Sequence, residues 1–145
     1  MYTNSPEETA DCIIEAMQTV PEARVVAFFG ELGTGKTSSI RLLCEKIARV
    51  APELVHSPTF QYLNIYPGMV TVYHFDLYRL RGIDDFLHMG FEEVFDQPGL
   101  VFIEWAERIH DFLPVGSLLI TLTHAGGTKR RVAVSLQDSY EHAEN

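Results

Sequence analysis

One short stretch constrains this chain more than any other: Gly30-Glu31-Leu32-Gly33-Thr34-Gly35-Lys36-Thr37. It fits the pattern G-x-x-x-x-G-K-[ST] at every fixed position, a pattern that chance yields in roughly one chain in a few hundred at average residue usage. Its flanks agree with it. Arg24 to Phe29 is a continuous apolar run, the pattern of a strand buried on both faces. From Gly35 onward Ile40, Leu43, Cys44, Ile47, Ala48 and Ala51 recur at helical spacing until Pro52. Strand, glycine-rich turn and helix together make a phosphate cradle. The glycines let successive N–H groups point inward, and the helix start adds its positive dipole end. Lys36 is placed to reach the β- and γ-phosphates, and the Thr37 hydroxyl to ligate magnesium; Ser38 extends the same helix start.

The remaining elements fall around this unit. Ser5-Pro6-Glu7-Glu8 is a helix start, with serine as N-cap, proline at the first helical position and glutamate three residues after the cap. Phe60–Tyr66 and Val70–Leu77 flank Pro67-Gly68 and read as an antiparallel hairpin. Ile83 to Phe95 reads as one or two short helices broken near Gly90. Gly99 to Trp105 is a second continuous buried run, and Ser117–Thr123 with Arg131–Leu136 forms a second hairpin through Ala125-Gly126-Gly127. The order predicts an α/β fold: a three-layer P-loop NTPase fold with a mixed β-sheet, parallel at its centre, with antiparallel hairpins. With 145 residues the chain is expected to form one domain over residues 1–136, followed by an acidic, frayed tail over 137–145.

A phosphate-bound magnesium needs a carboxylate at the end of a neighbouring buried strand, and two acids qualify. Glu104 follows Leu100-Val101-Phe102-Ile103 in the run most like a central parallel strand. Asp76 follows a less uniformly apolar run that looks antiparallel. Glu104 is therefore the favoured metal acid beside Thr37, and Asp76 a second acid near the γ-phosphate that orients or deprotonates the attacking water. Lys36, Asp76 and Glu104 form the candidate catalytic set. Trp105, the only tryptophan, is carried to the nucleotide by its neighbour. Ser57-Pro58-Thr59 lies where a switch segment would sense γ-phosphate. His74 reads as a packed strand histidine. Asp96-Gln97-Pro98-Gly99 spells D-x-x-G but precedes a buried strand, so it reads as a turn; no Asn-Lys-x-Asp guanine reader exists.

Composition narrows the function classes. A net charge of −9 opposes direct polyanion binding, and Lys129-Arg130-Arg131 is a short basic patch, so no strong direct nucleic-acid binding is expected. The first eleven residues do not read as a signal peptide, and no apolar run approaches the ~20 residues of a membrane span. Cys12 and Cys44 fall on apolar helix positions, as reduced thiols of a cytoplasmic protein do, and the six histidines show no metal-ligand spacing.

The segments GELGTGKTS, SPTF, YHFDLYRL and FIEWAERI, in this order, resemble the TsaE family, the small ATPases of bacterial tRNA threonylcarbamoyladenosine biosynthesis. The resemblance runs from about Thr9 to Arg131. It implies ATP/ADP in preference to guanine nucleotides, with Mg2+ held by Thr37 and Glu104. It further implies a nucleotide site drawn from Gly30 to Ser38 together with Thr59 and Trp105. Thr9 and Arg131 would lie by the adenine, Arg131 within a run of three cations whose register the sequence leaves open. The resemblance also implies protein partners, TsaD and TsaB, which carry out threonylcarbamoyl transfer while this chain assists by ATP hydrolysis. The chain offers no obvious internal arginine finger beyond Arg79 or Arg108, and a missing finger slows hydrolysis by about 10³–10⁵. Slow turnover stimulated by partners is the expectation. A small-molecule kinase and a nucleotide switch with negligible turnover are the alternatives. Oligomeric state is not legible.

Overall fold

The two continuous apolar runs lie side by side at the centre of one sheet. The computed structural model describes residues 1–58 and 60–138. Among these, α1 (Pro6–Thr19), β2 (Val25–Phe29), α2 (Lys36–Ala48), β3 (Leu63–Tyr66), β4 (Val72–Asp76), α3 (Ile83–His88), β5 (Leu100–Glu104), β6 (Leu118–His124) and β7 (Arg130–Leu136) follow a two-residue β1 (Tyr2–Thr3). Short 3₁₀ turns occupy Pro52–Leu54, Phe91–Asp96 and Ala106–Phe112. The strand order is β1-β7-β6-β2-β5-β4-β3.

The expected mixed α/β sheet is present, with β6, β2, β5 and β4 mutually parallel and antiparallel partners outside them. One expectation is corrected. The β3–β4 pair is an antiparallel hairpin, yet β4 also pairs parallel with β5, residue for residue from Val72↔Leu100 to Asp76↔Glu104. The chain between β4 and β5 includes α3 and a 3₁₀ turn, long enough for the crossover a parallel pair requires. The strand ending in Asp76 therefore belongs to the parallel centre.

Alternation along the strands divides the core. Val26, Phe28, Val72 and Phe102 pack under α1 and α2 with Ile13, Ile40 and Leu43. Val25, Ala27, Phe75, Val101 and Ile103 face Phe86, Ala106 and Ile109 on the other side. Helices, sheet and short helical segments form the three layers, and strand parity fixes which layer each strand-end residue faces. Asp76 and Glu104 share the α2 face with Val72, His74 and Phe102. At the start of α1 the Ser5 hydroxyl accepts from Glu8 N at 3.1 Å, the cap its sequence predicts, while the Glu8 carboxylate accepts at 3.0 Å from Asn4 N, one residue before the cap. Gln137 remains anchored after β7, its N–H donating to Ser117 O at 2.8 Å; the rest of the expected tail, from residue 139, lies outside the described residues.

Candidate nucleotide site

The loop between β2 and α2 sits at the carboxyl end of the parallel strands, where open α/β sheets bind ligands. Gly30 leaves β2 at φ +146°, and a Cβ there would come within 2.5 Å of Leu122 O, so only glycine lets the chain turn beside β6. Gly35 caps α2 at φ 97° without a side-chain capping bond, which leaves the first-turn amides of this 13-residue helix for a ligand. The Glu31 carbonyl accepts from Thr34 Oγ1 at 2.9 Å and from Lys36 Nζ at 3.3 Å; the Glu31 side chain is exposed, and Leu32 stands out at the tip.

Lys36 is only 5% exposed. Its ammonium group donates to Gly30 O and lies 3.8 Å from the centroid of the Trp105 ring. Burial pushes it below the ordinary lysine range, against the opposing pull of Glu107, Glu104 and Asp76. A buried cation held by carbonyls and a ring face is one that an entering anion stabilises. Trp105 itself takes a left-handed backbone at φ 57°, a conformation unusual for a bulky residue. The turn carries the indole from the end of β5 onto Lys36 and against Tyr78, with ring centroids 4.8 Å apart.

Thr37 Oγ1 donates to Glu104 Oε1 at 2.7 Å, joining the first turn of α2 to the end of β5. Glu104 is buried, and its second oxygen contacts His74 Nε2 at 2.7 Å. Asp76, in register with Glu104, is half-buried; it accepts from the Ser57 hydroxyl and from Tyr78 N. All of these groups except the wholly buried His74 line a cavity of ≈ 460 Å³ that includes Gly33, Gly35, Ser38 and Arg79. A second cavity of ≈ 200 Å³ adjoins it across the loop and is lined by Ser5, Thr9, Thr34, Ser38, Thr128 and Arg130 among others.

The structure thus brings together Lys36, Thr37, Ser38, Asp76, Glu104 and Trp105 about one cavity and places Thr9 at its neighbour. The Thr9 hydroxyl is 2.6 Å from that of Thr3, a contact that also pins β1 to α1. Thr59 lies outside the described residues. Arg131 does not reach the loop: it is exposed and pairs with Tyr2. Arg130 takes that place, donating to Thr34 O at 3.0 Å and Gly33 O at 3.4 Å. A one-residue step along a strand changes the face, and Arg130 shares a parity with buried Val132. That alternation was the available signal. The Asp96–Gly99 turn lies at the opposite end of β5, where Arg24 donates to the carbonyls of Phe95, Gln97 and Gly99. Ser57 falls in the segment read from the sequence as a switch, and Tyr78 in the YHFDLYRL segment that carries the resemblance; the contact of Ser57 with Asp76 and the pairing of His74 with Glu104 had no signal of their own. Arg79 lines the main cavity with its guanidinium 5.2 Å from the Phe60 ring; Arg108 donates to Tyr78 O at 3.1 Å.

A family profile described as "Threonylcarbamoyl adenosine biosynthesis protein TsaE" matches residues 3–132. The tRNA threonylcarbamoyladenosine biosynthesis protein TsaE of Treponema pallidum (strain Nichols) is 32% identical over 133 residues, covering 92% of this chain and 97% of that protein. Its namesake in Bacillus subtilis (strain 168) is 31% identical over 131 residues, covering 90% of this chain and 80% of the relative. Among solved structures, the crystal structure of YdiB of Bacillus subtilis superposes with a TM-score of 0.62 at 26% identity, covering 99% of this chain and 88% of that one. The profile match spans every segment that builds the two cavities, and the chain belongs to the TsaE family.

Proposed function

We propose that this chain binds ATP with Mg2+, hydrolyses it slowly, and serves tRNA threonylcarbamoyladenosine formation as the ATPase that assists the transfer proteins TsaD and TsaB. The observation that carries this reading is the junction of Thr37 and Glu104 at the mouth of the loop cavity, with Lys36 and Asp76 beside it. A hydroxyl and a carboxylate are hard oxygen donors, and Mg2+ is ordinarily held by one or two such groups plus substrate phosphates; the residues fit that ion. When bound, the metal would neutralise charge building on the β- and γ-phosphate oxygens.

The chain's own groups do the rest. The loop amides and the first turn of α2 cradle the β-phosphate, and Lys36 leaves its carbonyl partners for the γ-phosphate. Asp76 orients the attacking water and can accept its proton. Trp105 closes over Lys36 and keeps the site dry, which strengthens each charge interaction within it. The smaller cavity beside Thr9 and Arg130 receives the adenine. The net charge of −9 leaves tRNA to the partners. No described helix is long and apolar enough to cross a membrane, and with two free thiols the reading places the protein in the cytoplasm.

Trp105 fluorescence tests the reading directly. Titrated with ADP, ATP, GDP and GTP, with and without Mg2+, the protein should bind adenine nucleotides at least about ten-fold more tightly than guanine ones. Lys36→Ala should lose at least about ten-fold in affinity, and phosphate release should need no acceptor molecule. Equal binding of guanine nucleotides, or an unaffected Lys36→Ala variant, would overturn it.

A further inference from the structure

Behind Glu104 a chain of buried polar groups leads away from the metal position and returns to the site. Glu104 Oε2 contacts His74 Nε2 at 2.7 Å, and the other ring nitrogen, Nδ1, contacts the Tyr66 hydroxyl at 2.8 Å. His74 is wholly buried. The Tyr66 hydroxyl is 3.1 Å from the carbonyl of His56, to which Asn64 Nδ2 also donates at 3.1 Å. His56 precedes Ser57, whose hydroxyl donates to Asp76, and Asp76 stands in register with Glu104. The path closes on itself.

Strand parity builds this path. Asn64 and Tyr66 on β3, His74 and Asp76 on β4 and Glu104 on β5 all face α2, and diagonal neighbours on adjacent strands come within reach of long side chains. The proton arrangement has a fixed point. The His56 carbonyl can only accept, and an ionised Glu104 can only accept. Whichever way the Tyr66 hydroxyl turns, Nε2 must carry a proton and donate to Glu104. Glu104 then receives donors from both sides, Thr37 on one oxygen and His74 on the other, and its carboxylate plane is set.

We propose that His74 and Tyr66 are positioning residues: they aim the Glu104 carboxylate at Thr37 and tie residues 56–58 to it. The metal-facing oxygen and the Ser57–Asp76 contact are thereby set by one network. The inference rests on Glu104 being the metal acid. A carboxylate whose second oxygen is anchored in this way keeps its other oxygen available to a cation, and outer partners of this kind typically govern metal affinity by 10–100-fold.

The test uses the full chain and reads Mg2+ binding to the ADP complex by Trp105 fluorescence, together with amide exchange at His56 and Ser57. His74→Gln places an amide where Nε2 stands and keeps the donor to Glu104. His74→Asn places one where Nδ1 stands and keeps only the link to Tyr66. Tyr66→Phe keeps the ring and cuts the link to His56. Mg2+ affinity should fall about ten-fold in His74→Asn and stay within about three-fold in His74→Gln. Exchange at His56 and Ser57 should quicken about ten-fold in His74→Gln and Tyr66→Phe, while ADP affinity without Mg2+ holds in all three. Equal losses in both His74 variants, tracking a common fall in melting temperature, would reduce His74 to a packing residue. Should neither histidine variant fold, unchanged exchange in Tyr66→Phe is enough to overturn the coupling. If Glu104→Ala weakens Mg2+ binding and His74→Asn does not, this inference alone fails. If Glu104→Ala leaves Mg2+ binding intact, the reading of Glu104 fails and takes the inference with it.

Discussion

β4 and β5 end side by side, in register and on the same face of the sheet, each in an acid. Their surroundings differ sharply. Glu104 is 3% exposed and receives Thr37 from α2 and His74 from β4, donors that belong to the framework. Asp76 is half-buried and receives the Ser57 hydroxyl and the Tyr78 N–H, donors that belong to connecting segments. An acid fixed by helix and strand suits a cation that demands constant geometry. An acid held by loops can exchange its partners as the site fills, and that suits a group that must meet water. On the proposed reading, two carboxylates one strand apart take separate tasks from what holds them.

The sharpest way to break this contrast is to neutralise each acid in turn. Glu104→Gln and Asp76→Asn are each expected to lower phosphate release by on the order of 10²–10⁴-fold. Only Glu104→Gln should also weaken Mg2+ binding to the ADP complex, by about ten-fold or more. Steady-state phosphate release and a metal titration give the two readouts. A larger metal defect in Asp76→Asn would reverse the assignment.

A milder version removes the donors and leaves the acids. Thr37→Ala takes a framework hydroxyl from beside Glu104 and should cost about ten-fold in Mg2+ affinity. Ser57→Ala takes a loop hydroxyl from Asp76 and should lower kcat about three-fold, with Mg2+ affinity unchanged. If Ser57→Ala instead moves the metal titration, the two strand ends are not separate devices.

Local chemistry made half of this arrangement legible. Glu104 announces itself because four apolar residues run straight into it, and Lys36-Thr37 because no packing demand explains them. Asp76 was harder to place. Pro67-Gly68 marks the β3–β4 hairpin loudly, whereas the parallel pairing with β5 spans α3 and leaves no local trace. The Tyr66–His74–Glu104 path depends on three strands meeting in one register, which no single segment encodes. Trp105's left-handed backbone is a property of the turn and not of the residue. Arg130 was recoverable, since counting back by two from Val132 puts it on the loop's face, while the run of three cations hides the parity.

The smallest expected effect concerns the floor beneath β4. Cys44 packs there with Tyr66 and Val72, and burial pushes its thiol from the ordinary 9.0 up to about 12. Burial likewise raises the Tyr66 phenol above its ordinary 10.0. The sign follows from linkage. A thiol whose folded value exceeds its unfolded one contributes its stability in full below about pH 9, and loses it as pH climbs toward the folded value. In urea unfolding followed by Trp105 fluorescence, the stability of the native chain relative to Cys44→Ala, a comparison in which the opposing slope of Lys36 cancels, should therefore decline above about pH 9 by about 1.4 kcal/mol per pH unit for one such proton. Cys44→Ala should be less stable at neutral pH, because it leaves a void, yet decline less steeply in alkali. Native Cys44 should also resist alkylation at about pH 8 far longer than an unfolded thiol. Rapid alkylation would mean that water reaches the floor of β4, and the contrast between a dry Glu104 network and a wet Asp76 end would lose its basis.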